Sequence, residues 1–132
     1  MNVSLKPGLT HKETKTVKFE DTAASYGSGF MEVFATPALI ALMEYTSLMV
    51  VQPFLERGFG TVGINVNITH LRAAPVGDEV ECLATLTEVN ENSLTFSVVA
   101  WNQNGKIGEG THSRFIIDEA RFMKKFPKGQ SQ

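Results

Sequence analysis

One long apolar segment constrains the fold more than any other feature of this sequence. It runs from Val33 to Leu55, and the pair Thr36–Pro37 marks its start as a helix. Threonine is a good N-cap, and proline suits the first helical position. The apolar stripe is too wide for a surface helix, so the segment predicts a helix that is largely buried. Pro53 should weaken its last turn, and Gly58 is a natural stop.

After this segment the hydrophobic period changes from that of a helix to that of a strand. Four stretches alternate apolar and polar residues, and Asn104-Gly105 between the last two is a strong hairpin signal. A weaker alternation over residues 11–19 predicts one strand before the helix. In the first strand after the helix, the alternation predicts one face made of Val62, Ile64, Val66 and Ile68, with Gly63 on the other.

The order of these segments predicts the fold class. An antiparallel sheet with one apolar face needs a cover, and the only long apolar helix precedes it. We therefore expect an α+β fold, a curled five-stranded antiparallel sheet around one long central helix. The chain of 132 residues fits a single domain, residues 1–132, with a polar tail from about residue 127. We expect a domain this small, with a long central helix, to hide its sheet edges or helix surface in a dimer.

Composition excludes several classes of function. The net charge of −2 gives no electrostatic basis for binding nucleic acid or an anionic membrane. The single cysteine, Cys82, rules out an internal disulfide framework and favours a reducing compartment. The opening residues lack the apolar core of a signal peptide, and no uninterrupted apolar run is long enough for a membrane span. We expect a cytoplasmic protein with no metal site, because no metal-ligand cluster with suitable spacing is present.

Two ionisable side chains are predicted to point towards buried space. Glu44 shares the helix stripe with apolar residues, and strand parity puts His70 on the face that should meet the helix. A buried carboxylate is costly unless it is paired, and a Glu–His pair also suits acid–base chemistry near neutral pH. Ordinary alternatives stay open, because Glu44 can reach a solvent rim, His70 can be structural and Thr36 can be a helix cap.

The spacing of the polar residues limits how they can cooperate. Thr36 and Glu44 are eight residues apart, which is about 12 Å of rise along one helix. A site that uses both must therefore be long or must combine residues of two subunits. A cleft at a dimer interface is a natural place for it.

Three stretches carry a resemblance to a known family: "VFATPALIALMEYTS", "GTVGINVNITHLRAAPVGDEV" and "IGEGTHSRFII". With the turns between them they resemble the hotdog-fold thioesterases, most closely the fluoroacetyl-CoA thioesterase-like family, over nearly all of residues 20–118. The resemblance implies a hotdog fold and a homodimer, or a tetramer, that acts on acyl-CoA. Coenzyme A would be part of the substrate, with no separate cofactor. The family's catalytic threonine, glutamate and histidine fall on Thr36, Glu44 and His70.

The same resemblance implies further binding residues. Gly63 matches a glycine beside the acyl pocket, and Phe30 and Phe34 lie where the family has an aromatic lid. His112 and Arg114, in "GTHSR", are better explained as a pair on one strand face that orders a neighbouring backbone.

The expected function is hydrolysis of a small or medium acyl-CoA. The alternative is a non-catalytic acyl-CoA-binding or sensing module with the same pocket, although such a module needs no Glu–His pair. A hotdog dehydratase is a third possibility, but its short Asp and His hydration motif is not found. The CoA phosphates require basic residues at a cleft mouth, and the available candidates are Arg57, Arg72, Lys124 and Lys125.

Overall fold

The structure is a computed structural model that describes residues 5–127. Most of the predicted polar tail, after residue 127, lies outside the described residues. The five strands are β1 (Thr10–Thr16), β2 (Phe59–His70), β3 (Glu79–Asn90), β4 (Ser93–Asn102) and β5 (Gly105–Asp118). The helices are α1 (Ala23–Tyr26), α2 (Thr36–Val51) and α3 (Glu119–Met123), with short 3₁₀ turns at Phe19–Asp21 and Gln52–Phe54.

The five strands form one antiparallel sheet in the order β1-β3-β4-β5-β2, curled around α2. The core lies between them: Leu39 and Met43 of the helix are buried with Leu86 and Phe96 of the sheet. The predicted α+β arrangement, with one central helix, is confirmed. The β4–β5 connection is a tight hairpin, as expected, and Gly105 in it has a φ of +120°. Residues 71–78 instead join β2 to β3, which are not neighbours in the sheet.

The start of α2 differs from the prediction by one residue. Ala35, with an extended backbone, is the N-cap, and Thr36 is already the first helical residue. No side chain caps this end. The Thr36 hydroxyl is therefore free for another partner. The other end comes earlier than Gly58, the predicted stop, because the helix ends at Val51, before Pro53, and a single 3₁₀ turn follows.

A β-bulge in β2 overturns the predicted strand face. The register with β5 shifts between Gly63 and Asn65, which inserts one residue and reverses the alternation. Gly63 is paired with the buried Arg114 and faces the helix, whereas Val62 is paired with Phe115 on the outer side. Beyond the bulge the prediction holds again, because Val66, Ile68 and His70 are paired with helix-facing positions of β5.

Two glycines of β5, Gly108 and Gly110, allow close approach of neighbouring groups. A Cβ on Gly108 would lie 2.7 Å from Leu39 Cδ2, so the helix packs directly against bare backbone here. A Cβ on Gly110 would lie 2.0 Å from the carbonyl oxygen of Asn67 in the neighbouring strand. A side chain at Gly110 would push β5 away from β2, the strand that carries His70, whereas one at Gly108 would displace the Leu39 side chain.

The cysteine lies in the core. Cys82 of β3 is fully buried and makes no disulfide. Burial raises the pKa of its thiol to about 11, with a smaller opposing effect from the hydrogen bond to Thr46. Since the thiolate is the reactive form, this side chain is chemically inert in the folded protein.

Candidate active site

The fold brings Thr36 and His70 into direct contact. Thr36 begins α2, and His70 ends β2, 34 residues later. The Thr36 hydroxyl oxygen and His70 Nδ1 are 2.8 Å apart, a hydrogen-bond distance. The hydroxyl is available because Ala35, not Thr36, is the helix cap. A hydroxyl bonded to an imidazole is the arrangement that nucleophilic or general-base catalysis requires.

The second ring nitrogen of His70 is unusual. Nε2 is buried and has no hydrogen-bond partner in its own chain. Leaving a buried polar group unpaired is costly, and a structural histidine normally has both nitrogens satisfied or solvated. The geometry therefore favours a functional role for His70 over a purely structural one.

A surface cleft of about 370 Å³ opens over this pair. The first turn of α2 contributes to its wall, and no side chain caps the backbone N–H groups there. Those N–H groups and the positive end of the helix dipole suit a carbonyl oxygen that gains negative charge. The residues that line the cleft are Ala23, Ser28, Val33, Phe34, Ala35, Thr36, Pro37, His70, Leu71, Arg72 and Ala73.

Glu44 lies in a different cluster, opposite the bulge of β2. A Cβ on Gly63 would lie 3.0 Å from Glu44 Oε2, so the glycine makes room for the carboxylate. The same Cβ would lie 3.3 Å from His112 Cε1 and 3.5 Å from Arg114 Nη1. Glu44 is only partly buried, and it interacts electrostatically with both His112 and Arg114.

His112 and Arg114 fasten β2 to β5 beside the bulge. His112 Nδ1 lies 2.8 Å from the carbonyl oxygen of Asn65 and donates to it. Arg114 donates from Nε to the Thr61 hydroxyl at 2.7 Å and from Nη2 to the Thr61 carbonyl at 3.0 Å. The predicted role of this pair, ordering a neighbouring backbone, is confirmed.

The same contacts fix the state of the His112 ring. Because Nδ1 carries the proton given to Asn65, Nε2 is free to accept from Arg114 Nη1, 3.1 Å away. Burial lowers the pKa of His112, and Arg114 lowers it further, while the Asn65 carbonyl and Glu44 act in the opposite direction. The imidazole is accordingly neutral at pH 7.

The Glu44–His70 pair that the sequence suggested is not formed within one chain. His70 bonds to Thr36 instead, and its remaining nitrogen has no partner. Glu44 is eight residues beyond Thr36 along α2, next to Gly63. One chain thus holds two half-sites, a hydroxyl–imidazole pair and a carboxylate. That Glu44 would lie beside His112 and Arg114 was missed, because the bulge that turns Gly63 inward leaves no clear sequence signal.

The two aromatic candidates have different positions. Phe34 is 1% exposed and belongs to the core, where it lines the cleft from below. Its role beside the acyl group stays a prediction, with the side chain packed in the core and not on the surface. Phe30 is 98% exposed and packs on almost nothing in its own chain. Only Phe30 has the freedom that a lid requires.

Between residues 5 and 127 no cluster of side chains could hold a metal ion. Over the same residues, no helix has both the length and the apolar character needed to cross a membrane.

Comparison with known proteins identifies a thioester hydrolase of the hotdog fold. The family model for fluoroacetyl-CoA-specific thioesterases matches residues 17–120. The fluoroacetyl-CoA thioesterase of Streptantibioticus cattleyicolor is 35% identical over 111 residues, which cover 84% of this chain and 80% of the relative. The chain belongs to the fluoroacetyl-CoA-specific thioesterase family.

Solved structures agree with this membership. A structure of the fluoroacetyl-CoA thioesterase FlK has a TM-score of 0.88 and 31% identity, covering 92% of this chain and 95% of that one. A mutant of FlK in complex with fluoroacetate and CoA has a TM-score of 0.84 and 30% identity, covering 89% and 99%. The predicted hotdog fold and the predicted enzyme class are both confirmed.

Proposed function

We propose that this protein hydrolyses a small or medium acyl-CoA to the free acid and CoA, using Thr36, Glu44 and His70. The observation that carries the proposal is the hydrogen bond between Thr36 and His70 at the uncapped start of α2. The relatives named for fluoroacetyl-CoA hydrolysis, one of them bound to CoA, support acyl-CoA as the substrate class.

Thioester hydrolysis suits a site of this kind. The sulfur leaves as a thiolate whose thiol has a pKa of about 8.5, so protonation of the leaving group matters less than for an amide. Two mechanisms fit the geometry. In one, the Thr36 hydroxyl attacks the carbonyl and passes its proton to His70, giving an acyl-enzyme. In the other, Glu44 or His70 activates water and Thr36 orients the substrate.

The dimensions and lining of the cleft support a small or medium acyl group. Its volume of about 370 Å³ is near the lower end of the range for small-molecule sites. Phe34 supplies an apolar wall, and Gly63 keeps the space beside Glu44 free of a side chain. Phe30 could close over the bound acyl group from its exposed position. We assign these three residues to substrate binding.

We further propose a homodimer formed through β2. This strand lies at one edge of the sheet, and Ile64 and Val66 on it are 54% and 42% exposed. Tyr45, on α2, adds a third apolar side chain that is 48% exposed. The opposite edge, β1, instead carries lysines and a glutamate, which discourage pairing between edges. A partner on β2 would cover the apolar residues and satisfy the open edge.

The dimer also explains how two half-sites become one. Glu44 and Thr36 are about 12 Å apart along their own helix, too far to act on one carbonyl. Around a two-fold axis, Glu44 of the partner subunit can approach the Thr36–His70 pair, and the reverse contact then follows by symmetry. A cytoplasmic location completes the proposal and is supported by the unpaired, buried Cys82.

The test of the proposed function is a panel of acyl-CoAs, from acetyl and fluoroacetyl to long-chain and phenylacetyl, with release of free thiol as the signal. We expect turnover that depends on the acyl group. His70→Ala should lower kcat/KM by about 10²-fold or more, because it removes the group that contacts the Thr36 hydroxyl.

His11→Ala is the matched control. His11 lies on β1, where it pairs with Glu13 and takes no part in the cleft. Its loss should leave the rate unchanged. Absence of turnover on every acyl-CoA, with binding still measurable, would instead support the non-catalytic acyl-CoA-binding alternative.

A further inference from the structure

One guanidinium lies at the mouth of the proposed active site. Arg72 follows His70 by two residues and lines the same cleft as the Thr36–His70 pair. It is the only arginine or lysine among the residues that line the cleft, and none of those residues is acidic. An anionic group that enters the cleft would therefore meet one fixed positive charge and no repelling carboxylate.

The Arg72 side chain is held away from the reacting atoms. Its Nη1 donates to the backbone carbonyl of Asn104 in the β4–β5 turn. A Cβ on Gly105 would lie 3.7 Å from Nη2, so the glycine leaves the space that the guanidinium occupies. His70 is paired with Gly108, three residues further along β5, which places the guanidinium roughly 10 Å from the His70 backbone. Within residues 5–127 this is the hydrogen bond that the guanidinium makes, which leaves four of its five N–H donors for a ligand.

A CoA thioester likewise has its diphosphate well apart from its reacting carbonyl. In CoA a long flexible arm separates the sulfur from the diphosphate, so the phosphates must bind at a distance from the catalytic groups. The other three basic candidates lie elsewhere. Lys125 lines a second cavity together with Phe59, at the start of β2 and thus at the opposite end of that strand from His70. Arg57 lies two residues before that end, and Lys124 adjoins Lys125.

We propose that Arg72 binds the diphosphate of the CoA substrate and is a specificity residue for CoA over shorter thioesters. The inference rests on the proposed function, since it concerns the same cleft. A guanidinium anchored by one bond to Asn104 presents its remaining N–H groups in a fixed orientation, which suits bidentate contact with phosphate oxygens.

The experiment compares two substrates that carry the same acyl group, one on CoA and one on pantetheine, which lacks the phosphates. For Arg72→Gln we expect roughly a tenfold rise in KM for the acyl-CoA with little change in kcat. KM and kcat for the acyl-pantetheine should stay at the wild-type values. Added salt should raise KM for acyl-CoA in the wild type and have a smaller effect in the variant.

Arg57→Gln is the matched control, because it removes the same charge at the far end of β2. An equal rise in KM for acyl-CoA in Arg57→Gln and Arg72→Gln would show a general effect of charge and overturn the assignment. An equal loss of kcat/KM on acyl-CoA and acyl-pantetheine in Arg72→Gln would show that Arg72 only holds the β4–β5 turn. That result also overturns the assignment. A wild-type enzyme inactive on both thioesters would refute the proposed function itself, a result separate from either of these.

Discussion

Thr36 is the residue at which a structural role and a catalytic role can be separated. Its position suggested a helix cap, and the loss of a threonine cap typically costs about 1 kcal/mol. Ala35 holds the cap position instead, and the Thr36 hydroxyl is bonded to His70. The two roles consequently predict different results for the same substitution.

We expect Thr36→Val to remove activity with only a small loss of stability. Valine keeps the shape and has a similar helix propensity, so the melting temperature should fall by no more than a few degrees, the effect of one lost hydrogen bond to His70. The value of kcat should fall by about 10²-fold or more, because the hydroxyl is gone. Thr36→Ser serves as the control and should keep much of the activity. A melting temperature that drops while kcat is unchanged would assign Thr36 to the helix alone.

Among the single elements, β2 contains both a feature that the sequence predicted, the strand itself, and one that it did not, the bulge. The alternation of apolar residues was enough to predict β2 to β5, since a half-buried strand must alternate. It was not enough to find the extra residue between Gly63 and Asn65, because a bulge depends on contacts with the neighbouring strand. His112 and Arg114, 47 and 53 residues away from their main-chain partners, supply those contacts.

The candidate site likewise has one feature that could be predicted from the sequence and one that could not. His70 could be placed on the helix-facing side because its parity is correct after the bulge, and its identity as a candidate came largely from the family resemblance. Its partner could not be predicted, since the bond to Thr36 depends on how α2 and the end of β2 meet in space. Local pattern predicts which face a side chain takes, whereas the pairing of distant side chains requires the tertiary structure.

The neutral His112 ring predicts a pH dependence of stability. Burial holds the pKa of His112 in the folded protein below its ordinary value of 6.5. The unfolded chain therefore binds the proton first as the pH falls below about 6.5, and the free energy of unfolding decreases from there towards the folded-state pKa. Above pH 6.5 this contribution is constant.

His112→Gln should remove that part of the dependence. Glutamine can still donate to the Asn65 carbonyl but does not titrate. The free energy of unfolding, measured with denaturant between pH 7.5 and 5.5, should fall less in the variant than in the wild type. Parallel curves for the two proteins would show that His112 does not titrate differently in the two states.

At the scale of the whole molecule, the proposed dimer predicts which chain supplies Glu44 to each active site. The proposed dimer joins Glu44 of one subunit to the Thr36–His70 pair of the other, and this can be tested by complementation. Glu44→Ala and His70→Ala, each expected to be nearly inactive alone, are mixed under conditions that exchange subunits. A mixed dimer would contain one site with both changes and one site with neither. Activity should therefore return to as much as half the wild-type value per mixed dimer.

The result of this mixing experiment distinguishes a site shared between two chains from a site formed within one chain. If Glu44 and His70 of one chain formed a site together, every site in a mixed dimer would carry one change, and no activity would return. A monomeric protein in light scattering would reject the dimer itself. A control mixture of Glu44→Ala with His11→Ala should leave a mixed dimer with one working site, since His11 lies outside the cleft.

The burial of Cys82 has a practical meaning for enzymology. Every CoA thioesterase reaction liberates a thiol, and a reagent that detects it also detects any accessible cysteine of the enzyme. Here the enzyme's single thiol is fully buried and has a pKa of about 11, so the native protein adds no background to such a signal. The signal therefore measures the released thiol alone, and the detecting reagent leaves the folded enzyme unmodified.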